Sequence, residues 1–228
     1  MCFSASASFT AAAVLMPMGI YSIHIARTIP RRGYEPLAAI PLFFGLQQFV
    51  EGLVWTGLDS GRLEPLTTAA SVGFLFFAYC FWMIWVPWSA YAISAANEPP
   101  ARSRRLRWVW IIASVLGIGF FLPVLIHPPL VQPNVFTDGR ITYQVQTVLH
   151  NFINTEPLGQ LLYWGFIVAP LVALRDPAVK LFGVLIFVSI FLTWFTYSQA
   201  FNSVWCFYCA ILSIVVIWIV NRPVLRDA

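Results

Sequence analysis

Seven apolar segments divide this chain, each close to the twenty or so residues a helix needs to cross a lipid bilayer. They fall at about 9–29, 36–58, 67–93, 107–127, 157–174, 178–197 and 203–221. Such a sequence leaves few folds open. Only 10% of its residues are charged and 60% are hydrophobic, against about 25% charged in an ordinary soluble domain. There is too little polar surface to face water on all sides, so lipid must be the solvent for most of the chain. The expectation is an all-α membrane protein: one polytopic domain over 1–228, folded as a seven-helix bundle. No positively charged stretch precedes the first apolar run, so no cleavable signal peptide is expected.

The loops orient the bundle. Eleven of the thirteen Lys and Arg residues fall in loops or helix ends on one side, among them Arg27, Arg102, Arg175 and Arg222; only Arg62 and Arg140 fall on the other. The positive-inside rule then predicts a cytoplasmic C-terminus and an outside N-terminus. Basic residues that flank spans in this way are orientation signals, so the net charge of +4 does not indicate nucleic-acid binding. The expected partners are the lipid bilayer and other membrane subunits. The longest loop, 128–156, lies on the outer side. Its centre alternates apolar and polar residues around Asp138-Gly139, which predicts a short β-hairpin, and a short amphipathic helix is expected from Tyr143 to Phe152. The other loops are short, so successive helices should pack as antiparallel neighbours. An odd number of spans argues against two equal inverted halves and so against a transporter.

Two spans carry residues suited to chemistry. In the second, Gln47, Glu51 and Trp55 repeat every four residues and share a helix face, with Gln48 beside them. Glu51 lies roughly 10 Å inside the outer end of the span. A carboxyl at that depth is costly, so it should face the bundle interior and be paired, protonated or metal-bound; the alternative is a protonated Glu that serves helix packing alone. The last span opens Trp205-Cys206-Phe207-Tyr208-Cys209. With Ser203 as N-cap, Cys206 would be the third helical residue, where backbone N–H groups favour a thiolate. Cys209 follows three residues later on the same face. The pair suits redox chemistry, ligand or metal contact, or simple packing as small apolar residues. Cys2 is on the outer side, within reach of Cys206 for a disulfide. Cys2, Glu51, Cys206 or Cys209, with His127 or His150, could hold zinc or copper. Ser4, Ser6, Ser8, Thr10, Gln160, Tyr163, Thr193, Thr196, Tyr197, Gln199 and Asn202 all map to the outer half, which suggests a polar cavity opening outward.

The opening Met-Cys-Phe-Ser-Ala, the Gln47-Gln48-x-x-Glu51-Gly52-x-x-Trp55 element and the Trp205-Cys206 element together resemble a bacterial family of uncharacterised integral membrane proteins. The resemblance covers the whole chain. It implies a bacterial inner-membrane location, implies no activity, and singles out Cys2, Glu51 and Cys206. Other seven-span families fit worse. Retinal proteins need a lysine in the last span, and Lys180 is the only lysine here. Ceramidase-like and adiponectin-receptor-like zinc hydrolases need several intramembrane histidines.

The sequence therefore supports an outward-facing intramembrane site built on Glu51 and Cys206, with Cys2 as a disulfide or metal partner. Gln47, Gln48, Trp55, Trp205, Cys209 and Tyr197 are its candidate ligand contacts. The site would bind a ligand or metal, or carry thiol chemistry. The residues name no cofactor and do not decide whether the protein is an enzyme. A subunit that scaffolds a larger membrane complex is the alternative, and a small-solute transporter a weaker one.

Overall fold

The computed structural model describes residues 4–28, 32–60, 65–128, 131–135, 141–145, 156–197 and 201–222. They form a helical bundle with one two-stranded ribbon. The first helix is α1 (Ala5–Thr28). A short α2 (Glu35–Ala38) leads into α3 (Ile40–Asp59). The third apolar segment forms α4 (Pro65–Leu75), a π-helical stretch at Phe76–Phe81, and α5 (Trp82–Asn97). Then come α6 (Pro100–Ile126), strands β1 (Val131–Val135) and β2 (Ile141–Val145), α7 (Pro157–Val172), α8 (Pro177–Tyr197), α9 (Phe201–Leu212) and α10 (Ile214–Asn221).

Among the described residues, six helical stretches are long and apolar enough to cross a membrane, which fits a multi-pass membrane protein. The fifth apolar segment, expected as a full span, is shorter: its apolar helix is Leu158–Val172. Pro157 starts it, and the turn before Pro177 ends it. Sixteen helical residues rise about 24 Å, less than the roughly 30 Å hydrocarbon core. Pro17, Pro87 and Pro170 lie inside helices that continue past them.

Burial sets the helices in order. In the most apolar window of the α2–α3 stretch 67% of residues are buried, against 22% in α6, so α3 is central and α6 peripheral. The widest helix pair is α1 on α3. Glycine permits its close approach: a Cβ on Gly19 would lie 2.2 Å from the Leu42 backbone nitrogen. The next contacts are α5 with α6, α3 with α4, α8 with α7 and α9, α5 with α7, and α10 with α1. Thus α9 closes the bundle beside α3.

β1 and β2 pair antiparallel, Val131 opposite Val145 and Val135 opposite Ile141. The connecting residues 136–140, with Asp138-Gly139, lie outside the described residues. The ribbon packs on α3, α4 and α9. It buries Val131, Ile141, Tyr143 and Val145, and Tyr143 stacks on Phe74 with ring centroids 4.6 Å apart. Tyr143 is therefore a strand residue, not the start of a helix. Its ring is committed to α4, and its backbone faces Pro133 across the ribbon. The rest of the expected interfacial helix lies outside the described residues.

The end of the bundle opposite the ribbon is tied by polar contacts. Asp176 caps α8, accepting from the Ala178 N–H at 2.9 Å. Its other carboxylate oxygen accepts from the Tyr34 hydroxyl and the Arg222 guanidinium. Glu98 accepts from the Arg175 backbone N–H at 2.6 Å and pairs with Arg102 at 3.5 Å. The Asn97 amide donates to the Arg32 carbonyl at 2.9 Å. The chain turns there on Gly33, whose φ of +84° is open to glycine at little cost. A Cβ at Gly33 would also lie 2.4 Å from the Ala92 carbonyl oxygen.

Candidate functional site

The face of α3 read from the sequence points into the bundle. Gln47, Gln48 and Glu51 have no exposed surface, and Trp55 is buried one turn beyond. Gln48 Nε2 donates to Glu51 Oε2 at 3.1 Å. Gln47 Oε1 accepts from Trp82 Nε1 at 2.7 Å. The Trp82 indole is held by Phe44, stacked at 3.9 Å between ring centroids. Gly52, next to Glu51, lets the Phe9 ring of α1 approach within 2.6 Å of where a Cβ would sit. So α1 shields this part of the face.

The second half comes from α9. Trp205, Cys206 and Cys209 are buried. Trp205 Nε1 donates to Ser189 Oγ on α8 at 3.2 Å. The Gln47 amide lies beside the Cys206 thiol, with Glu51 and Cys209 within electrostatic range. Tyr163 of α7 packs edge-on against Trp205, 5.9 Å between centroids. Its hydroxyl donates to the Ala78 carbonyl inside the π-helical stretch. A cavity of about 20 Å³ adjoins Cys206 and Cys209, room for about one water molecule.

Cys206 of α9 thus lies beside Gln47 of α3, with Glu51 bonded to Gln48 within electrostatic range; Trp205 and Cys209 are buried on α9, and Trp55 is buried one turn beyond Glu51 on α3. Cys2 and His150 lie outside the described residues, as does the side chain of Tyr197. His127 directly follows α6. Among the described residues no three His, Cys, Asp or Glu side chains are grouped to hold a metal, and Cys80, Cys206 and Cys209 are free thiols. The capping expectation needs correction. Helix α9 already runs from Phe201, so Ser203 is no N-cap and Cys206 is at least the sixth helical residue. The N–H groups of a first helical turn are therefore not its neighbours.

The polar residues expected to line an outward cavity divide differently from that expectation. Thr10, Thr193 and Thr196 donate to carbonyls of their own helices, at 2.7 Å each. Such bonds satisfy a hydroxyl within its own helix, and Thr10, with Ser6, also borders a groove of about 580 Å³ between α1 and α9. Two members of the cluster, Trp82 and Ser189, carried no signal in the sequence, and Tyr163 stood out there only as one polar residue among many. Each reaches its partner across helices, and nothing in its local spacing marks it out.

The Trp82–Gln47 bond gives a direct test. Gln47→Leu should lower stability by about 1 kcal/mol, in line with buried hydrogen bonds between membrane helices. Trp82→Phe in the same background should add little further loss, because the indole N–H has already lost its acceptor. Thermal melts of the two single variants and the double variant measure the coupling.

A bundle of membrane-length helices enclosing a carboxyl and a thiol pair defines the class: a multi-helix membrane protein with a buried polar cluster between α3 and α9. The chain belongs to DUF6629, a family of unknown function whose sequence profile matches residues 1–228. No curated protein and no solved structure matches it.

Proposed function

We propose that Glu51 and Cys206 form one intramembrane site, framed by Gln47, Gln48, Trp55, Trp82, Trp205 and Cys209, that binds a ligand or carries thiol chemistry. One observation supports this above the rest. A carboxyl with no exposed surface and a buried thiol, on helices far apart in sequence, share a neighbourhood through Gln47. Buried ionisable residues in membrane spans are costly and mark functional sites by default. The protein is read as a multi-pass protein of the bacterial cytoplasmic membrane. Its arginine-rich end faces the cytoplasm, and the ribbon end and the site lie toward the outside.

In this reading Glu51 takes and returns the proton of the Cys206 thiol. The test is the rate at which Cys206 reacts with a small neutral thiol reagent, methyl methanethiosulfonate, in detergent-purified protein. Cys80 in the same molecule is the internal standard. Glu51→Gln should slow Cys206 about ten-fold, a modest general-base effect, and leave Cys80 unchanged. Equal Cys206 rates in a folded Glu51→Gln protein would refute the site.

A second reading, a scaffolding subunit, is favoured by α8. Phe187, Phe191, Trp194 and Phe195 are exposed along one side of it. Leucine at Phe191 and Phe195 should then abolish co-purification of a membrane partner, while Glu51→Gln changes nothing.

A further inference from the structure

Of the six membrane-length stretches among the described residues, α6 is the least buried, with 22% of its most apolar window enclosed. It opens on arginines. Arg104, Arg105 and Arg107 are exposed, and Arg104 and Arg107, three residues apart, are neighbours on the helix surface. The ion pairs among the described residues join Arg102 to Glu98 and Arg222 to Asp176, so both of those carboxylates are committed elsewhere. Like charges this close repel one another, and the positive end of the helix dipole adds to the repulsion. An anion between the arginines relieves both.

The helix face below them selects the kind of anion. Arg104 heads a stripe that continues through Trp108, Ile111, Val115, Ile118 and Leu122, all of them exposed. Trp108 is 55% exposed and lies one turn in from Arg104, the depth at which membrane helices carry indoles level with the headgroups. Trp110, by contrast, turns back onto α5 and stacks on Tyr91, with ring centroids 5.7 Å apart. From Trp108 to Ile118 the stripe is about 15 Å long, half of the roughly 30 Å hydrocarbon core, and so one leaflet deep. Cations at headgroup level above one leaflet of unbroken apolar surface match a phospholipid, phosphate above and acyl chains below. A second copy of this chain fits worse. A two-fold along the membrane normal would set the same arginines against each other, and the stripe has none of the small residues on which membrane helix pairs pack.

We infer that Arg104 and Arg107, with the face from Trp108 to Ile118, form a docking site for one anionic phospholipid, flanked by Arg105. The guanidinium groups donate to the phosphate oxygens, and the chains lie along Ile111 and Val115. The site does not depend on Glu51 or Cys206, so it stands or falls apart from the reading above.

The test is native mass spectrometry of the full-length protein in detergent, titrated with phosphatidylglycerol and, separately, with phosphatidylcholine of the same chains. Two arginines at a lipid surface change affinity for an anionic headgroup about thirty-fold. One phosphatidylglycerol per chain should therefore bind about thirty-fold more tightly than phosphatidylcholine. The double variant Arg104→Gln/Arg107→Gln should bind the two lipids alike, with its melting midpoint unchanged because both side chains are exposed. Arg27→Gln, at the end of α1, should keep the preference. Equal binding of the two lipids by the wild-type protein would overturn the site. So would a preference that survives in the double variant, or one that is lost in Arg27→Gln. Glycerol 1-phosphate should not displace the bound lipid; displacement would assign the arginines to a soluble anion instead. A wild-type dimer that is lost on Val115→Trp would give the face to a second copy, and the lipid site would fall.

Discussion

Gly19→Ala should cost about 3 kcal/mol and lower the thermal midpoint by roughly 10 °C, the upper range for overpacking in a chain of this size. The added Cβ would lie 2.2 Å from the Leu42 nitrogen and 2.5 Å from its Cα. Those are backbone atoms, so no side-chain rotation relieves the overlap, and α1 must move off α3. The pair is the widest helix contact in the bundle, and the same interface carries Phe9 onto Gly52 beside Glu51. The displacement should therefore also raise the reactivity of Cys206 as the cluster loosens. Gly119→Ala is the control. Nothing lies within 4 Å of a Cβ there, so the change should be neutral or stabilising by up to about 1 kcal/mol. Melting curves of the two variants in detergent decide the matter, and equal midpoints would show that α1 does not depend on that contact.

Asp176→Ala should cost about as much, by a different route. The carboxylate caps α8 through the Ala178 N–H, at 2.9 Å, and holds Tyr34 and Arg222 on its other oxygen. A cap contributes about 1 kcal/mol, and a hydrogen bond to a charged group about 1.5–3 kcal/mol. A total near 3 kcal/mol follows, because the Asp176 side chain is only 12% exposed and screening is limited. Three ends of the chain separate when it goes: the turn before α2, the turn before α8, and the end of α10.

The loss is pH-dependent with a definite sign. Burial alone would raise the Asp176 pKa. The hydrogen bonds from Tyr34, Arg222 and the Ala178 N–H, and the Arg222 charge, outweigh it and hold the carboxyl below its ordinary 3.8. A depressed carboxyl stabilises the fold fully above the unfolded value of about 3.9. That contribution is lost as pH falls through the folded value. Melts from pH 7 to pH 2 should show the gap between wild type and Asp176→Ala constant down to about pH 4 and shrinking below it. A gap that persists unchanged at the acid end would mean that the charge is not its source.

Much of the helical layout was legible because one physical constraint dominates it. A backbone in lipid must satisfy its own hydrogen bonds, so apolar runs of the right length become helices. The inward face of α3 was legible for the same reason. Gln47, Gln48 and Glu51 cannot be left in lipid, and their spacing puts them on one side. Cys206 was legible as a buried residue but not in its helical position, since a plausible cap at Ser203 competes with a helix that starts earlier. The fifth helix starts at Pro157 as expected and ends at Val172, two residues before the end of its apolar segment, and Pro177 with the Asp176 cap decides where the next helix begins.

The sequence by itself thus determined that helices in lipid would form this chain, roughly where they run, and which residues of α3 had to turn inward. Only the tertiary structure decided what those residues meet. Trp82 reaches Gln47 from another span, Ser189 lies beside Cys209 and under Trp205, and Tyr163 fastens the π-helical stretch. The physical reason is range. Periodicity along a helix is a local property, set by 3.6 residues per turn. Partners across helices depend on which faces pack together, and here that choice rests on close contacts such as Gly19 on Leu42, which no local pattern specifies.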